Sequence, residues 1–305
     1  MKVLIIRGGA LGDTLMLLPA LSVLPPDVEI TFVGREPGLG FMGDHVDVCM
    51  DLERSGWHRL FQAAPSGGRL PIEHADRVIA FFADQSGDLG RNLKGFFPQS
   101  GVHTFPSFPP RSATFHVARY VARCLYSAGL PLNEDQAMEN SLNGPLIKSG
   151  APVEGRYGVV FHPGSGDVKK NHPPPFWCRL MEVLGGRGGE GGCRHVLLLG
   201  PAEAQLRPVF DQCLKGSDTK MMNCPSIERL MATLKSARFF ISHDSGVSHL
   251  SAMLGTPTLA LFRTSDPVQW RPLGPSVQVI TRSDSGDELL DVIMKTTASL
   301  LPREK

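Results

Sequence analysis

The chain has 305 residues, of which 42% are hydrophobic and 20% charged, and its formal net charge is +1. This length suits two domains of ordinary size, and the composition excludes the disordered and fibrous classes. A net charge near zero excludes a global field that gathers nucleic acid or an anionic membrane, so we expect no nucleic-acid partner.

The six cysteines form no Cys-x-x-Cys pair and no paired Cys/His spacing suited to zinc. We interpret them as reduced thiols, which indicates a cytoplasmic location. The apolar run at the N-terminus leads into a Gly-rich turn instead of a cleavage site, and no apolar stretch approaches the roughly 20 residues that cross a bilayer. We therefore predict no signal peptide and no membrane span, and leave peripheral membrane contact open.

Strand and helix patterns alternate in the first half of the chain. Residues 3–6 form a short apolar run that Gly8 and Gly9 close, and an apolar helical pattern starts after Asp13. Alternating strands and helices predict a parallel sheet. Further strands are predicted at residues 29–33, 46–50 and 77–82, and a long helix at 114–129.

The second half repeats this organisation after a segment without periodicity at residues 143–155, which we interpret as a linker. The predicted domains are residues 1–149 and 150–305, both of the α/β class with parallel sheets. The glycine-dense residues 185–192 predict a flexible surface loop. Strands are predicted at 157–161, 195–199, 239–242 and 258–262, and helices at 175–184, from 202 onward, at 226–236 and at 247–254.

Ligands of open α/β sheets bind at the carboxyl ends of strands, so each strand-to-helix turn is a candidate site. The first turn has glycines at positions 8, 9 and 12 and then Asp13, which does not match the G-x-G-x-x-G dinucleotide fingerprint. That mismatch argues against an NAD-dependent oxidoreductase. From the residues alone, Asp13 is either a helix N-cap or a catalytic carboxylate.

The second turn, residues 162–166, is followed by Lys169 and Lys170. Small residues and two cations after a buried strand suit an anion, whereas Pro and Gly alone mark a tight loop and paired lysines are usually solvated. Both interpretations stay open at this point.

The third turn, within residues 239–249, gives the most specific pattern. An apolar strand runs into a small-residue turn whose first helical amides suit a diphosphate, with hydroxyls of Ser245 and Ser248 as further donors. The alternative is that Asp244 and Ser245 only cap a helix and that His249 is a satisfied helix histidine.

A fourth candidate follows the strand at residues 195–199. Glu203 is placed to accept hydrogen bonds from ribose hydroxyls, but a glutamate is equally favourable in the first turn of a helix for electrostatic reasons.

These turns occur in one order along the chain and carry a resemblance to a known family. The first reads VLIIRGGALGDTLMLLPAL, and the later ones read HPGSGDVKKNHP, LLLGPAEAQL and ISHDSGVSHLSAMLGTPTLALFRTSDP. With these four segments the chain resembles glycosyltransferase family 9, the ADP-heptose:lipopolysaccharide heptosyltransferases.

The resemblance implies a GT-B fold, in which two Rossmann-like domains with parallel sheets face a central cleft. The first domain would hold a lipid-linked saccharide acceptor of the lipopolysaccharide core and the second a nucleotide-sugar donor. The implied reaction is inverting heptosyl transfer from ADP-heptose without a metal or another cofactor. We expect a cytoplasmic monomer, with contact at the inner membrane left open.

The resemblance also assigns roles to residues. The family often has Trp where this chain has His172, and the choice between the two neighbouring lysines is left open. Other nucleotide-sugars or acceptors, and a non-catalytic nucleotide-sugar-binding protein, remain as alternatives. The implied catalytic residues are Asp13 and Lys170; the implied nucleotide-sugar-binding residues are Ser165, Lys169, Glu203, Asp244, Ser245, Gly246, Val247 and His249; the implied acceptor-side turn contains Gly9 and Gly12.

Overall fold

The computed structural model describes residues 1–63, 68–148, 157–185, 195–282, 284 and 286–300. The chain divides into two compact units, Met1–Asn140 and Ser141–Lys305, so the division comes earlier than the predicted boundary after residue 149. Residues 141–148 pack with the second unit, because the buried Ile147 donates its N–H to the Met253 carbonyl at 3.0 Å. Residues 149–155 of the predicted linker lie outside the described residues, as do residues 186–192 of the predicted glycine loop.

The first unit contains one parallel sheet with strand order β3-β2-β1-β4-β5. Short 3-10 helices at Leu39–Phe41 and Trp57–Phe61 join some of its elements. The strands are β1 (Lys2–Ile6), β2 (Glu29–Gly34), β3 (Val48–Asp51), β4 (Arg77–Phe81) and β5 (Gly101–Phe105), and the helices are α1 (Leu11–Leu15), α2 (Leu18–Leu21), α3 (Asp88–Phe96), α4 (Val117–Ser127) and α5 (Glu134–Asn143), whose last three residues belong to the second unit.

The central strand β1 is apolar on both faces because both faces are covered. Leu4 and Ile6 point to one side and pack in a core with Leu89 and Leu93 of α3, whereas Ile5 is buried on the opposite side. This burial places the carboxyl end of β1, and the turn that follows it, on a rigid platform.

The second unit contains a six-stranded parallel sheet with strand order β11-β10-β9-β6-β7-β8. In chain order within the unit this is the doubly wound order 3-2-1-4-5-6 read from one edge, and its strand order reverses between β6 and β9. The strands are β6 (Tyr157–His162), β7 (Val196–Leu199), β8 (Lys220–Asn223), β9 (Ala237–His243), β10 (Thr258–Phe262) and β11 (Val277–Thr281), and the helices are α6 (Pro174–Gly185), α7 (Arg207–Cys213), α8 (Ile227–Lys235), α9 (Gly246–Met253), α10 (Pro267–Trp270) and α11 (Asp287–Leu300).

The predicted α/β class with two parallel sheets is confirmed, and one predicted helix is corrected. The segment predicted as a helix from residue 202 is a 3-10 helix, Pro201–Leu206, which leads into α7. Prolines at the starts of both segments explain the break, since a proline suits the first turn of a helix and disrupts its interior.

The prediction of free thiols is wrong for two of the six cysteines. Cys178 of α6 and Cys213 of α7 form a disulfide with a Cα–Cα distance of 5.9 Å, and Cys49, Cys124 and Cys224 are free. The pair is 35 residues apart in sequence, so only the packing of α6 against α7 reveals it. Cys193 lies outside the described residues. In the described part of the chain, no helix is both long and apolar enough to span a bilayer.

Candidate functional site

The turn after β1 holds Asp13 in a fixed position. Asp13 is the third residue of α1, and its Oδ2 accepts the N–H of Ala10 at 2.9 Å. The N-cap residue is therefore Ala10, so the N-cap interpretation of Asp13 is wrong in position, although its carboxylate does cap the turn. Asp13 is half-buried, and one carboxylate oxygen in a capping contact does not prevent the group from accepting a proton.

Gly9 is required for the approach of this carboxylate. A Cβ at position 9 would lie 2.5 Å from the Cβ and 2.8 Å from the Oδ2 of Asp13. Gly12, which directly precedes Asp13, is half-buried in α1. The predicted acceptor-side glycines thus belong to the same tight turn as Asp13, and Gly9 contacts its side chain.

Arg7 lies beneath this turn and was not singled out from the sequence. It is 1% exposed, and its Nε–H donates to the main-chain carbonyl of Asp13 at 2.9 Å. Burial lowers its pKa to about 10, and the charge of Asp13 opposes that change. Its place directly after a buried strand is a signal that could have identified it.

In the second unit, Lys170 and Asp244 form an ion pair at the switch point between β6 and β9. The Lys170 Nζ lies 2.7 Å from the Asp244 Oδ2, and their side chains are 30% and 4% exposed. Lys169 is exposed, and its backbone N–H donates to Asp167 Oδ1. The structure therefore brings Lys170, and not Lys169, to the predicted anion site.

Ser245 and Ser248 form the capping box of α9. The Ser245 Oγ accepts the N–H of Ser248, and the Ser248 Oγ accepts the N–H of Ser245, both at 3.2 Å. Both side chains are buried, and the Ser248 hydroxyl also donates to the Ser245 carbonyl at 2.7 Å. The Ser248 hydroxyl thus donates within the cap, and the Ser245 Oγ also lies 3.1 Å from the Ser242 Oγ. The role of the two hydroxyls as diphosphate donors stays a prediction.

The first-turn amides of Gly246 and Val247 remain as donors, because the first N–H groups of a helix have no partner within the helix. Both residues are half-buried. The positive end of the α9 dipole adds to the attraction for an anion at this turn.

His249 lies in α9 beside the ion pair and is 2% exposed. Its Nε2 is 3.9 Å from the Asp244 Oδ1. Burial lowers the pKa of His249 to about 4, a change that Asp244 opposes and Lys170 reinforces. The imidazole is therefore neutral at pH 7, and its Nδ1 has no hydrogen-bond partner in the described part of the chain.

Glu203 is held in a buried position by two glycines. Its Oε2 accepts the Gly200 N–H at 2.9 Å, and a Cβ at position 164 would lie only 1.9 Å from its Oε1. A cavity of about 380 Å³ opens beside Glu203. Its lining also includes Asn171, His172, Trp177, Gln205 and Arg263.

Ser165 and His172 shape the loop that carries Lys170. The Ser165 Oγ lies 2.6 Å from the Asn171 Oδ1, so this hydroxyl is used within the loop. The His172 N–H donates to the Nε2 of His243 at 2.8 Å, and the two rings are stacked with centroids 5.2 Å apart. Arg263, which follows β10, donates to the Asn171 carbonyl. His243 and Arg263 were missed as site residues, although His243 ends β9 and Arg263 directly follows β10.

A metal centre has no candidate in the described ranges, where no group of three or more His, Cys, Asp or Glu side chains is arranged to hold an ion.

The fold is shared with solved glycosyltransferases. The E. coli heptosyltransferase WaaC with ADP superposes with a TM-score of 0.73 at 17% identity, covering 98% of this chain and 99% of that one. A glycosyltransferase of family 9 from Veillonella parvula gives a TM-score of 0.72 at 18% identity, with 99% and 97% of the two chains covered. The architecture is that of the GT-B class, with two Rossmann-like domains, as the motifs predicted.

Sequence comparisons identify the family. Lipopolysaccharide heptosyltransferase 1 of E. coli K12 is 24% identical over 88% of this chain and 89% of its own length. The corresponding protein of Salmonella typhimurium LT2 is also 24% identical, over 88% and 90% of the two chains. The family model for glycosyltransferase family 9 (heptosyltransferase) matches residues 108–289. The chain belongs to this family and is a glycosyltransferase of the heptosyltransferase type, as predicted.

Proposed function

We propose that the protein transfers a heptose from ADP-heptose to a lipid-linked saccharide of the lipopolysaccharide core. One observation carries this proposal: Lys170, Asp244 and the first turn of α9 meet at the switch point of a doubly wound sheet, where such folds bind nucleotides. The names of the relatives support heptose and lipopolysaccharide, and structures of WaaC with ADP and with ADP-2-deoxy-2-fluoro heptose support the donor. We propose a cytoplasmic site of action near the inner membrane, where a lipid-linked acceptor is available.

In this proposal the donor diphosphate binds Lys170 and the amides of Gly246 and Val247. An ammonium group has three donors, so one directed to Asp244 leaves others for phosphate oxygens. The ion pair keeps the Lys170 Nζ beside the α9 turn before the donor arrives. Lys169, whose side chain is exposed, is assigned no phosphate contact.

The nucleoside and the sugar take the neighbouring groups. The buried Glu203 carboxylate at the 380 Å³ cavity accepts hydrogen bonds from ribose hydroxyls. Asp244 and the neutral His249 bind hydroxyls of the transferred sugar, because a carboxylate accepts from such groups and a neutral imidazole both donates and accepts.

Asp13 is the proposed general base. It removes the proton from the acceptor hydroxyl, whose oxygen then bonds to the anomeric carbon while the bond from that carbon to the diphosphate breaks on the opposite face. The anomeric centre is inverted and ADP leaves with the bonding electron pair. Lys170 and the α9 amides stabilise the charge that develops on the leaving diphosphate, so the proposal requires no metal ion.

The donor assignment is tested by thermal shift with ADP, UDP, GDP, CMP and NAD. At 100 times its Kd a ligand adds about 2.7 kcal/mol of stability, so ADP should raise the Tm and the other nucleotides should not. Lys170→Met should abolish most of the ADP shift, whereas the matched control Lys169→Met should keep it. A selective response to UDP contradicts the ADP assignment, and a response to NAD alone favours an oxidoreductase.

The base assignment needs two variants, because the Asp13 carboxylate also caps α1. Asp13→Asn keeps an oxygen for the Ala10 N–H and removes the base, whereas Asp13→Ala removes both. Each should lose roughly 10²–10⁴ in kcat with the ADP thermal shift retained. Turnover near that of the unmodified enzyme in Asp13→Asn contradicts the role.

ADP binding without transfer to any acceptor in the unmodified enzyme favours a non-catalytic binding protein. Activity should persist in EDTA.

A further inference from the structure

Arg7 is a buried cation whose surroundings leave it incompletely satisfied. Within the guanidinium, the Nε–H donates to the Asp13 carbonyl at 2.9 Å, and the two terminal nitrogens have no hydrogen-bond partner in the described residues. The residue is 1% exposed, so bulk water does not reach it. Burying a charge in this way is unfavourable, and replacing such groups by apolar ones is often stabilising.

The groups around the Arg7 guanidinium favour its charged form, although none of them accepts a hydrogen bond from its terminal nitrogens. Its Cζ lies 5.0 Å from the ring centroid of Phe81 and 5.8 Å from that of Phe108, both within range of a cation–π interaction. Burial raises the pKa of Tyr120 and raises that of Cys124 to about 11, so both of these α4 side chains are neutral at pH 7. Of the three groups whose charge raises the pKa of Arg7 against the effect of burial, Asp13 has the largest influence.

Arg77, in the same unit, is an arginine whose hydrogen bonds indicate a structural role. Arg77 is half-buried at the amino end of β4, and it donates from Nε to the Ala128 carbonyl at 3.1 Å and from a terminal nitrogen to the Asp76 carbonyl at 3.0 Å. The first of these bonds joins β4 to the C-terminal end of α4. Arg7 instead makes its hydrogen bond to the residue proposed as the base.

We propose that Arg7 is a positioning residue for Asp13: its Nε–H fixes the main chain at Asp13, and its buried charge favours the ionised carboxylate that accepts the proton. This inference rests on the proposed role of Asp13 as base. A role in stability alone does not explain a buried guanidinium with two unpartnered nitrogens. A positive charge that favours the ionised form of the Asp13 carboxylate does explain it.

The test measures ADP release from ADP-heptose with a lipid A–Kdo acceptor across pH in Arg7→Met and Arg7→Lys. Arg7→Met should lower kcat about 10- to 100-fold, as expected for a displaced catalytic group. The acidic limb of its kcat/KM profile should move to higher pH by about one unit, because the ionised carboxylate has lost a neighbouring cation. The KM for ADP-heptose should stay unchanged. Arg7→Lys should return the acidic limb toward its original position, since it restores the charge.

Stability and double variants separate this inference from the alternatives. Arg7→Met should keep or raise the Tm, whereas the control Arg77→Met should lower the Tm without moving the pH profile. An unmoved acidic limb in Arg7→Met, or an activity loss explained by a lowered Tm, overturns the inference. In an Asp13→Asn background Arg7→Met should add no further loss of kcat. If Asp13→Asn alone keeps full turnover, the proposed base is wrong; if Asp13→Asn is inactive and Arg7→Met is normal, only the role of Arg7 is wrong.

Discussion

The position of Asp13 depends on the absence of a side chain at Gly9. Gly9→Ala would place a methyl group 2.5 Å from the Asp13 Cβ, and because that atom is attached to the main chain, a rotamer change alone does not relieve the clash. A displacement of about 1 Å at a catalytic group costs about 10²-fold in rate. We expect such a loss in kcat with the ADP thermal shift unchanged.

The control for this variant is Gly95→Ala in the same unit, since a Cβ there meets no atom within 4 Å. Its kcat should equal that of the unmodified enzyme. A Gly9→Ala enzyme with unchanged kcat would show that Asp13 does not need its observed position.

Gly164 plays the corresponding part for Glu203. In Gly164→Ala the new Cβ would lie 1.9 Å from the Glu203 Oε1 and 2.0 Å from its Cδ, so the carboxylate must leave its place beside the cavity. Losing a hydrogen bond to a charged group costs about 1.5–3 kcal/mol, so the Kd for ADP, measured by calorimetry, should rise at least tenfold. Gly144→Ala, where a Cβ meets nothing within 4 Å, should bind ADP normally. Equal affinities in the two variants would remove Glu203 from the nucleotide site.

At the scale of elements, the N-terminal cap of α9 combines stability with the proposed diphosphate site. Ser245→Ala removes the Oγ that accepts the Ser248 N–H, and loss of such a cap costs about 1 kcal/mol. Ser226 caps α8 in the same way, by accepting the Arg229 N–H. Ser226→Ala should therefore lower the unfolding free energy by a similar amount in urea titrations. Only Ser245→Ala should also weaken ADP binding, because its turn contains the amides of Gly246 and Val247. Equal ADP affinity in both variants would contradict the assignment of this turn.

The elements that were predicted correctly are those whose burial produces a clear apolar pattern in the sequence. Central strands such as β1 and β9 are buried on both faces, so their apolar runs are continuous and readable. The edge strands β5, β8 and β11 were missed because their residues are mostly half-buried or exposed, which leaves a mixed pattern. The helix α5 was missed because its polar sequence, EDQAMENSLN, lacks a clear apolar period.

The sequence predicted each turn of the candidate site separately. It did not predict the contacts between residues of different turns. Strand ends and small residues identified the turns at Asp13, Lys170 and Ser245, because local sequence produces these features. The Lys170–Asp244 ion pair joins residues 74 positions apart, and the strand order that brings β6 beside β9 is not encoded in any local pattern. The unusual burial of Arg7 was hidden for the same reason, since Phe81 and Phe108 reach it from elsewhere in the chain.

At the scale of the whole molecule, buried histidines make stability depend on pH. Those with a lowered pKa are concentrated in the second unit: His162, His172, His195, His243 and His249. Burial is the largest cause for each, and it lowers the pKa of both His172 and His249 to about 4.

Acid should therefore destabilise the second unit. Between pH 6.5 and pH 4 the unfolded chain binds protons at His172 and His249 that the folded unit does not, so the unfolding free energy falls as pH falls, by up to about 1.4 kcal/mol per pH unit for each group. This stability is fully present above pH 6.5. The measurement is urea unfolding at several pH values in a Trp57→Phe background, because the remaining tryptophans, Trp177 and Trp270, both report on the second unit.

His249→Asn removes one of these groups, so it should reduce the slope of unfolding free energy against pH in this range, whatever its effect on stability at pH 7.5. Ser226→Ala, which removes no titrating side chain, supplies the reference slope for a destabilised second unit. If His249→Asn and Ser226→Ala give the same slope, His249 does not contribute to acid sensitivity. Equal slopes would mean that the folded unit binds a proton at His249, beside Asp244, as readily as the unfolded chain does. The neutral imidazole proposed for sugar binding would then be replaced by the protonated form in acid.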